Sequence, residues 1–346
     1  MKKVAYLLGA GASQAVVSHI NPDNGLMTTD IRNVIQKQYS SAPFDTNIWN
    51  EILTEEYDLE QIISVMEYQY QYASSTTLRR YYRDAIVKLS KKISANPPKS
   101  NLYSILIDMH LNLQNSLDEE LLCIISLNYE DILEKTIDKH FKIQVDYGIN
   151  KLPTANGIQI FKLHGSFNWE NVRPIKVATN MTSLRSENTL WIPPGVDKRK
   201  ENYPFNLLWG KANEAIMNCD VIRVVGCSLS RNDWGLIPML YTIQKFHSTG
   251  HKFAIEIIDF PEIAEKIKTN YKYLDITSID DIPEFFDFYK KQFPSASDDA
   301  IKTEIVNSLN NPLQSWLEAK IEYLIKRSKD INTPKKLVYD FYYKTA

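Results

Sequence analysis

The sequence predicts an α/β protein with a doubly wound, mostly parallel sheet, an inserted helical module and a C-terminal helical extension. First, short apolar runs alternate with stretches in which apolar residues recur every three or four positions. Second, glycine is scarce, at 11 of 346 residues. Four of these glycines directly follow apolar runs: Gly9, Gly11, Gly165 and Gly226. Third, the stretch between Gly25 and Gly148 contains no glycine and has mainly helical periodicity.

The first half of the chain is predicted to be one strand followed by a long helical block. Residues 3–8 are apolar enough for a buried strand, and 12–20 begin a helix. Residues 29–115 are predicted to be an inserted helical module that caps one side of the sheet. Within it, Leu59, Ile62, Ile63 and Met66 recur at spacings of three and four, and further helices end near residues 96 and 115.

The second half alternates between strands and helices. Strands are predicted over 121–126, 158–163, 220–225 and 253–258, with another over 273–276. Helices are predicted over 129–141, over 233–247 and from Pro261, since proline favours the first helical position. Residues 170–203 are polar and contain three prolines, which favours an irregular loop. The chain is again helical in pattern from residue 281.

Composition excludes several classes of protein. Apolar residues make up 44% and charged residues 24%, so neither a disordered nor a collagen-like chain is expected. The net charge of −2 argues against bulk electrostatic binding to nucleic acid, and no apolar run is long enough to span a membrane. The three scattered cysteines favour buried thiols in a reducing cytoplasm over a disulfide framework or a four-thiolate zinc site.

A run of small residues, Gly9 to Ser13, joins the first strand to the first helix. Small residues let a pyrophosphate approach the backbone, and exposed amides at a helix start attract its charge. The run lacks the last glycine of the dinucleotide fingerprint, and such turns also occur without ligands. Nucleotide binding and an ordinary strand–helix turn therefore both remain open.

Two polar side chains also follow predicted strands. Asn128 lies where a strand turns into a helix, so it is either a ligand contact or a helix N-cap. His164 ends a strand and precedes a glycine and a serine. It is either a group that exchanges a proton near neutral pH or a hydrogen-bonded structural histidine.

The last two strand ends carry similar groups. The run from Gly226 to Ser230 can donate amides and hydroxyls to phosphate or ribose, or it is an ordinary turn capped by Asp233. Asp259 could accept ribose hydroxyls or be a simple loop acid. Because the carboxyl ends of parallel strands share one edge of a sheet, all these groups are expected at one cleft.

In order and chemistry, these segments resemble the sirtuin-like family of bacterial NAD-consuming domains. The matching segments, within residues 1–280, are Gly9-Ala10-Gly11-Ala12-Ser13, Asn128-Tyr129, Leu163-His164-Gly165-Ser166 and Gly226-Cys227-Ser228-Leu229. The resemblance implies a Rossmann-like NAD-binding domain over 1–280, which includes the module 29–115 and the loop region 170–203. Residues 281–346 then form the C-terminal extension.

The resemblance also implies roles for these residues. Asn128 would hold the nicotinamide-side ribose or position a water, and His164 would act as the catalytic base or polarise a ribose hydroxyl. The usual acid after the Asn-Tyr pair is Asp, whereas this chain has Glu130, so the role of that acid is not carried over. The implied NAD-binding residues are Gly9, Ala10, Gly11, Ala12 and Ser13 for the phosphates, and Gly226, Ser228, Leu229 and Asp259 for the adenosine side.

The activity implied by the resemblance is hydrolysis of NAD+, the substrate, to nicotinamide and ADP-ribose, with no metal. Family members of this type are commonly anti-phage effectors that deplete NAD in abortive infection. The alternatives are an NAD-dependent protein deacylase and a non-catalytic nucleotide sensor or scaffold. Deacylating sirtuins carry a zinc ribbon with four cysteines in two close pairs, and the three cysteines here count against that alternative.

The C-terminal helices are predicted to make an oligomer or partner contact, with packing on the protein's own core as the alternative. The apolar residues at helical spacing are Trp316, Leu317, Ile321, Leu324 and Ile325. The candidate partners are a second copy of the chain and a separate sensor or ATPase subunit. The resemblance suggests a HerA-like ATPase or a short Argonaute for that subunit.

Overall fold

The architecture comes from a computed structural model. It describes residues 1–21, 25–39, 59–68, 72–149, 156–194, 202–230, 233, 235–247 and 253–327. The strands are β1 (Lys2–Leu8), β2 (Glu119–Ser126), β3 (Val145–Asp146), β4 (Ile158–Lys162), β5 (Gly165–Glu170), β6 (Lys176–Val177), β7 (Thr189–Trp191), β8 (Val221–Val225), β9 (Ala254–Ile258) and β10 (Ile276–Ser278). The helices are α1 (Ala10–Ile20), α2 (Thr28–Tyr39), α3 (Leu59–Tyr68), α4 (Tyr72–Ala95), α5 (Leu102–Asn112), α6 (Gln114–Leu117), α7 (Ile132–Phe141), α8 (Phe205–Ile216), α9 (Leu236–His247), α10 (Pro261–Asn270), α11 (Pro283–Gln292), α12 (Asp298–Ser308) and α13 (Pro312–Arg327).

The main sheet confirms the predicted fold class. Among the described residues it has seven strands in the order β10-β9-β8-β1-β2-β4-β3, and each neighbouring pair is parallel. The chain builds outward from β1 through β2 and β4, then returns to the other side of β1 to add β8, β9 and β10. This reversal is the point at which doubly wound sheets bind ligands, outside the carboxyl ends of the strands.

The first strand shows why the sheet lies between two helical layers. Val4, Tyr6 and Leu8 belong to one buried cluster, whereas Ala5 and Leu7 belong to another. Because successive side chains of a strand point to opposite faces, β1 is covered on both sides. The first cluster includes residues of α1, α5, α7 and α13, and the second includes residues of α8, α9 and α10.

Two strand predictions differ from the structure. The last strand is β10 (Ile276–Ser278) rather than 273–276, and the region 170–203 is not wholly irregular. There β6 and β7 pair antiparallel with the two edges of β5, which makes a small second sheet. Strands of two or three residues are too short to show a period in the sequence. Residues 195–201 of the predicted loop lie outside the described part of the chain.

The C-terminal helices pack on the protein's own core, so the partner contact predicted from their apolar face is wrong. Trp316, Leu317, Ile321 and Leu324 are all at most 3% exposed. Their helix, α13, packs against α1, α5 and α11. Homo-oligomerisation and a separate subunit stay predictions, without support from this face. Residues 328–346 and the side chain of Ile325 lie outside what the structure describes.

A network of buried ion pairs links the C-terminal helices α11 and α13 to the sheet. Arg223 in β8 contacts Glu119 of β2 at 2.6 Å and Glu256 of β9 at 2.9 Å. Lys320 of α13 lies 3.4 Å from Glu119 and 3.0 Å from Glu284 of α11. Loss of one partner in such a buried network leaves an uncompensated charge, which costs about 3–5 kcal/mol.

Candidate active site

A cavity of about 730 Å³ lies at the carboxyl ends of the main strands. Groups that follow β1, β2, β4, β8 and β9 all contribute to its lining. The sequence-predicted residues that line it are Gly9, Ala10, Gly11, Ser13, Asn128, His164, Gly226, Ser228 and Asp259. The fold therefore brings most of the predicted site together, as expected from a parallel sheet at its switch point.

Two predicted binding residues, Ala12 and Leu229, are not part of this lining. Ala12 is fully buried, with its amide beneath Gly226. Leu229 is 1% exposed and belongs to the core cluster beside α9, and its carbonyl accepts a hydrogen bond from the Tyr271 hydroxyl at 3.0 Å. Both residues pack within the loops around the cavity, and their contact with a ligand stays a prediction.

The glycines after β1 and β8 pack against each other. The amide of Gly11 donates to the Gly226 carbonyl at 2.8 Å, and that of Gly9 donates to the Val225 carbonyl at 3.0 Å. Gly226 has φ of +55°, and a Cβ on it would lie 2.2 Å from the Ala12 amide nitrogen. These small residues are therefore required by contact between two loops, a reason that the sequence interpretation did not consider.

Helix α1 starts directly in the cavity lining. Its first turn is Ala10-Gly11-Ala12-Ser13, which carries no charge, and Gly9 occupies the N-cap position. The amino end of a helix bears a partial positive charge, although the Gly11 and Ala12 amides here already donate to the Gly226 and Gly9 carbonyls. This end can therefore receive a phosphate without competition from a carboxylate in its own first turn.

Asn128 is held rigidly at the end of β2. Its Nδ2 donates to the Gly9 carbonyl and to Ser13 Oγ, both at 2.9 Å, and its backbone amide donates to Ser126 Oγ. A carboxamide nitrogen has two hydrogens, and both are used within the protein. Its Oδ1 is therefore the atom that Asn128 can offer to a ligand, as a hydrogen-bond acceptor.

Ser13 links Asn128 to a buried acid. Its hydroxyl donates to Glu130 Oε1 at 2.5 Å and lies 2.9 Å from the Tyr103 hydroxyl. Burial raises the pKa of Glu130, and the positive charge of Lys162 and the hydrogen bond from Ser13 partly oppose that rise. The acid that the sequence left without a role therefore belongs to the network that fixes Asn128.

A buried lysine contacts the network formed by Asn128, Ser13 and Glu130. Lys162, at the end of β4, is 1% exposed. Its Nζ donates to the Glu130 carbonyl, and it also donates to Glu134 Oε1 at 2.8 Å. The ion pair joins β4 to the first turn of α7. Lys162 is not among the site residues predicted from the sequence, because its partners lie on another element.

His164 lies beside the Asn128 loop because the two strands that carry them are paired. β2 and β4 are parallel neighbours, and the Leu163 amide donates to the Ser126 carbonyl at 3.1 Å. The imidazole is 6.2 Å from the Tyr129 ring, between ring centroids, and both residues line the cavity. Asn128 and His164 therefore lie at one rim of the sheet and line the same cavity.

Asp259 is placed at the opposite end of the lining, after β9. Its Oδ1 accepts a hydrogen bond from the Phe260 amide at 2.8 Å. Burial raises the pKa of Asp259 to about 6, although the hydrogen bond opposes this. Protonation of this carboxyl would remove its capacity to accept two hydrogen bonds from a ribose diol.

Two parts of the lining could not be located from the sequence. Tyr82 and Ile86 come from the inserted helical module, on α4. Residues 310–313, just before and at the start of α13, close another side. Asn311 is tied there by its Nδ2, which donates to the Ala15 carbonyl of α1 at 3.2 Å. No local pattern marks these residues, since only tertiary packing brings them to the cavity.

Within the described part of the chain, no group of three or more His, Cys, Asp or Glu side chains is arranged to hold a metal ion. The three cysteines are buried thiols, and none of them is in a disulfide. Of the helices in that same part, none is long and apolar enough to cross a lipid bilayer.

Comparison with known proteins gives only distant structural likenesses. No protein-family model matches the chain, and no curated protein matches it. Among solved structures, a Sir2 homologue in complex with NAD matches with a TM-score of 0.42 and 14% identity, over 90% of this chain and 91% of that one. A Sir2 structure with the inhibitor EX-527, 2′-O-acetyl-ADP-ribose and a deacetylated p53 peptide gives 0.38 and 14%, over 85% and 94%. Because these TM-scores are below 0.5, the fold assignment rests on the strand order of this chain.

Proposed function

We propose that this protein hydrolyses NAD+ at the nicotinamide–ribose bond. The observation that carries the proposal is that the Asn128 carboxamide and the His164 imidazole line one cavity at the switch point of the sheet. A dinucleotide-binding fold that also offers a fixed acceptor and a titratable base beside the ligand can do more than bind.

The binding half of the proposal rests on α1 and Asp259. The amino end of α1 supplies a favourable dipole for the pyrophosphate. Asp259, at the end of β9, supplies a carboxylate for the adenosine ribose. Since Asn128 and His164 follow the strands on the other side of β1, the nicotinamide ribose would lie there.

The bond to be broken needs little acid catalysis. When the C–N bond breaks, its electron pair goes to the pyridinium nitrogen, which leaves as neutral nicotinamide. The ribose carbon becomes oxocarbenium-like, as in glycoside cleavage, and water forms the new C–O bond. One proton of that water must then pass to a base. The protein has to hold the ribose, orient the water and receive the proton.

Asn128 and His164 supply the last two functions. Because both hydrogens of its amide are used by Gly9 and Ser13, Asn128 presents Oδ1, which accepts a hydrogen bond from the water or from a ribose hydroxyl. His164 accepts the proton. Glu130 acts through Ser13, which keeps the carboxamide in this orientation.

The test is release of nicotinamide from NAD+ by the purified full chain, followed by liquid chromatography. Wild type is expected to form nicotinamide and ADP-ribose in equal amounts. Asn128→Ala and His164→Ala are each expected to lower kcat at least about 100-fold, the usual range for a base in general acid–base catalysis. Asn112→Ala, which changes an asparagine on α5 outside the cavity lining, is the control and should retain the wild-type rate.

Two other results would each replace the proposal. Nicotinamide release only with an added acyl-lysine peptide, with O-acyl-ADP-ribose as product, would indicate a deacylase. NAD+ binding in calorimetry without turnover would indicate a sensor or scaffold.

The proposed cellular role is an NAD-depleting effector of an anti-phage system, controlled by a second copy or by a separate sensor or ATPase subunit. Co-purification from cells that express the neighbouring genes would test that control.

A further inference from the structure

A carboxylate approaches His164 from the far side of the cavity. Asp233 lies in the loop between β8 and α9, and its Oδ1 is 3.3 Å from His164 Nε2. In the sheet, β8 and β4 are separated by β1 and β2. The two residues therefore follow strands that are not neighbours, and both line the cavity.

Both groups are largely shielded from water. The side chain of His164 is 5% exposed and that of Asp233 is 13% exposed. Nε2 is buried and lacks a hydrogen bond of good geometry, so the contact is close but not linear. Solvent screens a buried pair of charges less than a pair at the surface. In addition, hydrogen bonds in empty active sites often align only when the ligand binds.

The chemistry of the pair fixes the position of a proton. Neutral imidazole carries one hydrogen, on either nitrogen, and a carboxylate accepts hydrogen bonds but donates none. Asp233 next to Nε2 therefore favours the tautomer with hydrogen on Nε2. The lone pair then lies on Nδ1, and the imidazolium formed after proton transfer is stabilised by the adjacent negative charge.

We propose that Asp233 is a positioning residue, whose carboxylate holds the proton of His164 on Nε2 so that Nδ1 is the basic atom of the site. This rests on the proposed function. In the hydrolysis step, the water oxygen bonds to the ribose carbon, nicotinamide leaves with the electron pair of the broken bond, and the water proton moves to Nδ1. The resulting imidazolium, paired with Asp233, returns that proton to solvent.

The same contact has another interpretation, in which Asp233 is a latch that blocks His164 from the substrate. The two interpretations predict opposite effects of removing the charge. A positioning carboxylate makes the isosteric variant Asp233→Asn slower, whereas a latch makes it faster.

The first experiment measures kcat and KM for NAD+ at pH 7.5 in Asp233→Asn and Asp233→Glu. Asp233→Asn is expected to lose at least about 10-fold in kcat with KM within about twofold, because loss of an orienting carboxylate lowers activity about 10- to 100-fold at metal-bound histidines and more in a catalytic triad. Asp233→Glu keeps the negative charge, so its kcat should be lower than that of wild type but higher than that of Asp233→Asn. Asp281→Asn removes an acid paired with Lys302 outside the cavity lining and should leave both constants unchanged. Equal loss in the Asn and Glu variants, or faster turnover in either, would overturn the proposal.

The second experiment reads the tautomer without turnover. In the resting full-length protein, ¹⁵N-labelled at histidine, the His164 signals are identified by their loss in His164→Gln. The expected spectrum has a protonated Nε2 and an unprotonated Nδ1, and Asp233→Asn shifts both signals toward each other. If the wild-type spectrum shows hydrogen on Nδ1, the positioning role is wrong even if the enzyme cleaves NAD+. If the spectrum is as expected but NAD+ is not cleaved, the proposed function fails and the pairing stands.

Discussion

Replacement of Gly226 by alanine tests the contact between the two loops on which the cavity is built. Gly226 has φ of +55°, in the left-handed region. There, an added Cβ would lie 2.2 Å from the Ala12 nitrogen and 2.3 Å from the Gly11 carbonyl carbon. Both of these atoms belong to backbone, so neither can move aside as a flexible side chain would.

The cost can be assembled from two contributions. A non-glycine residue in the left-handed region costs about 1–2 kcal/mol. Relief of the overlap requires the start of α1 to shift away from β8, which breaks the 2.8 Å hydrogen bond from Gly11 to Gly226 and adds about 1 kcal/mol or more. We therefore expect Gly226→Ala to lower the free energy of unfolding by at least about 2–3 kcal/mol.

A matched control is available in the same chain. Gly210 lies in the interior of α8, where a new Cβ meets nothing within 4 Å. Alanine in an exposed helix interior is more stable than glycine by about 1 kcal/mol. Gly210→Ala should therefore raise the urea midpoint, and Gly226→Ala should lower it, when both are followed by circular dichroism. If Gly226→Ala cost less than about 1 kcal/mol, the two loops would not pack as described.

The remaining predictions concern buried polar groups. Glu119→Gln should destabilise the protein by about 3–5 kcal/mol in urea titration, because Arg223 keeps its charge and loses its closest partner; no loss would show that the network is not formed. Burial on folding raises the pKa of Asp259 to about 6. Ionisation of this carboxyl therefore lowers the free energy of unfolding as the pH rises from about 4 to 6. Asp259→Asn should accordingly be more stable than wild type at pH 7.5 but not at pH 4 in thermal melts. NAD+ affinity of wild type should also fall below pH 6 in calorimetry, whereas a flat profile would remove Asp259 from the ribose site. Ser13→Ala should lower kcat about 10-fold or more, since it removes one of the two acceptors of the Asn128 amide and the hydroxyl donor to Glu130 Oε1; an unchanged kcat would show that Asn128 does not depend on this network.

The sequence predicted the sheet and most of the cavity edge well, because both depend on local signals. A buried parallel strand needs a mostly apolar run: β1 and β2 each contain an uninterrupted one, and β8 and β9 are apolar apart from one charged residue each. Groups that follow such strands share one edge by geometry, which is why Asn128, His164 and Asp259 could be expected together. Strands as short as β6 carry no such signal.

The rest depended on contacts between distant parts of the chain. The face of α13 has the apolar spacing of an interface and of a core helix alike, and only packing against α1 and α5 distinguishes them. Asp233 has the sequence context of a helix cap, and its contact with His164 joins residues that follow two strands which are not neighbours in the sheet. Arg223 and Lys162 interrupt otherwise apolar strands, but their partners lie on other elements.

The central claim is that Asn128 and His164 act on the same sugar of a dinucleotide bound along this edge. The most direct measurement is NAD+ turnover in ¹⁸O-labelled water, with mass spectrometry of the ADP-ribose formed. The claim predicts one ¹⁸O at the ribose carbon that carried nicotinamide, with formation of this product lost in both Asn128→Ala and His164→Ala. Wild-type protein that binds NAD+ but releases no nicotinamide, or variants that form labelled product at the wild-type rate, would contradict it.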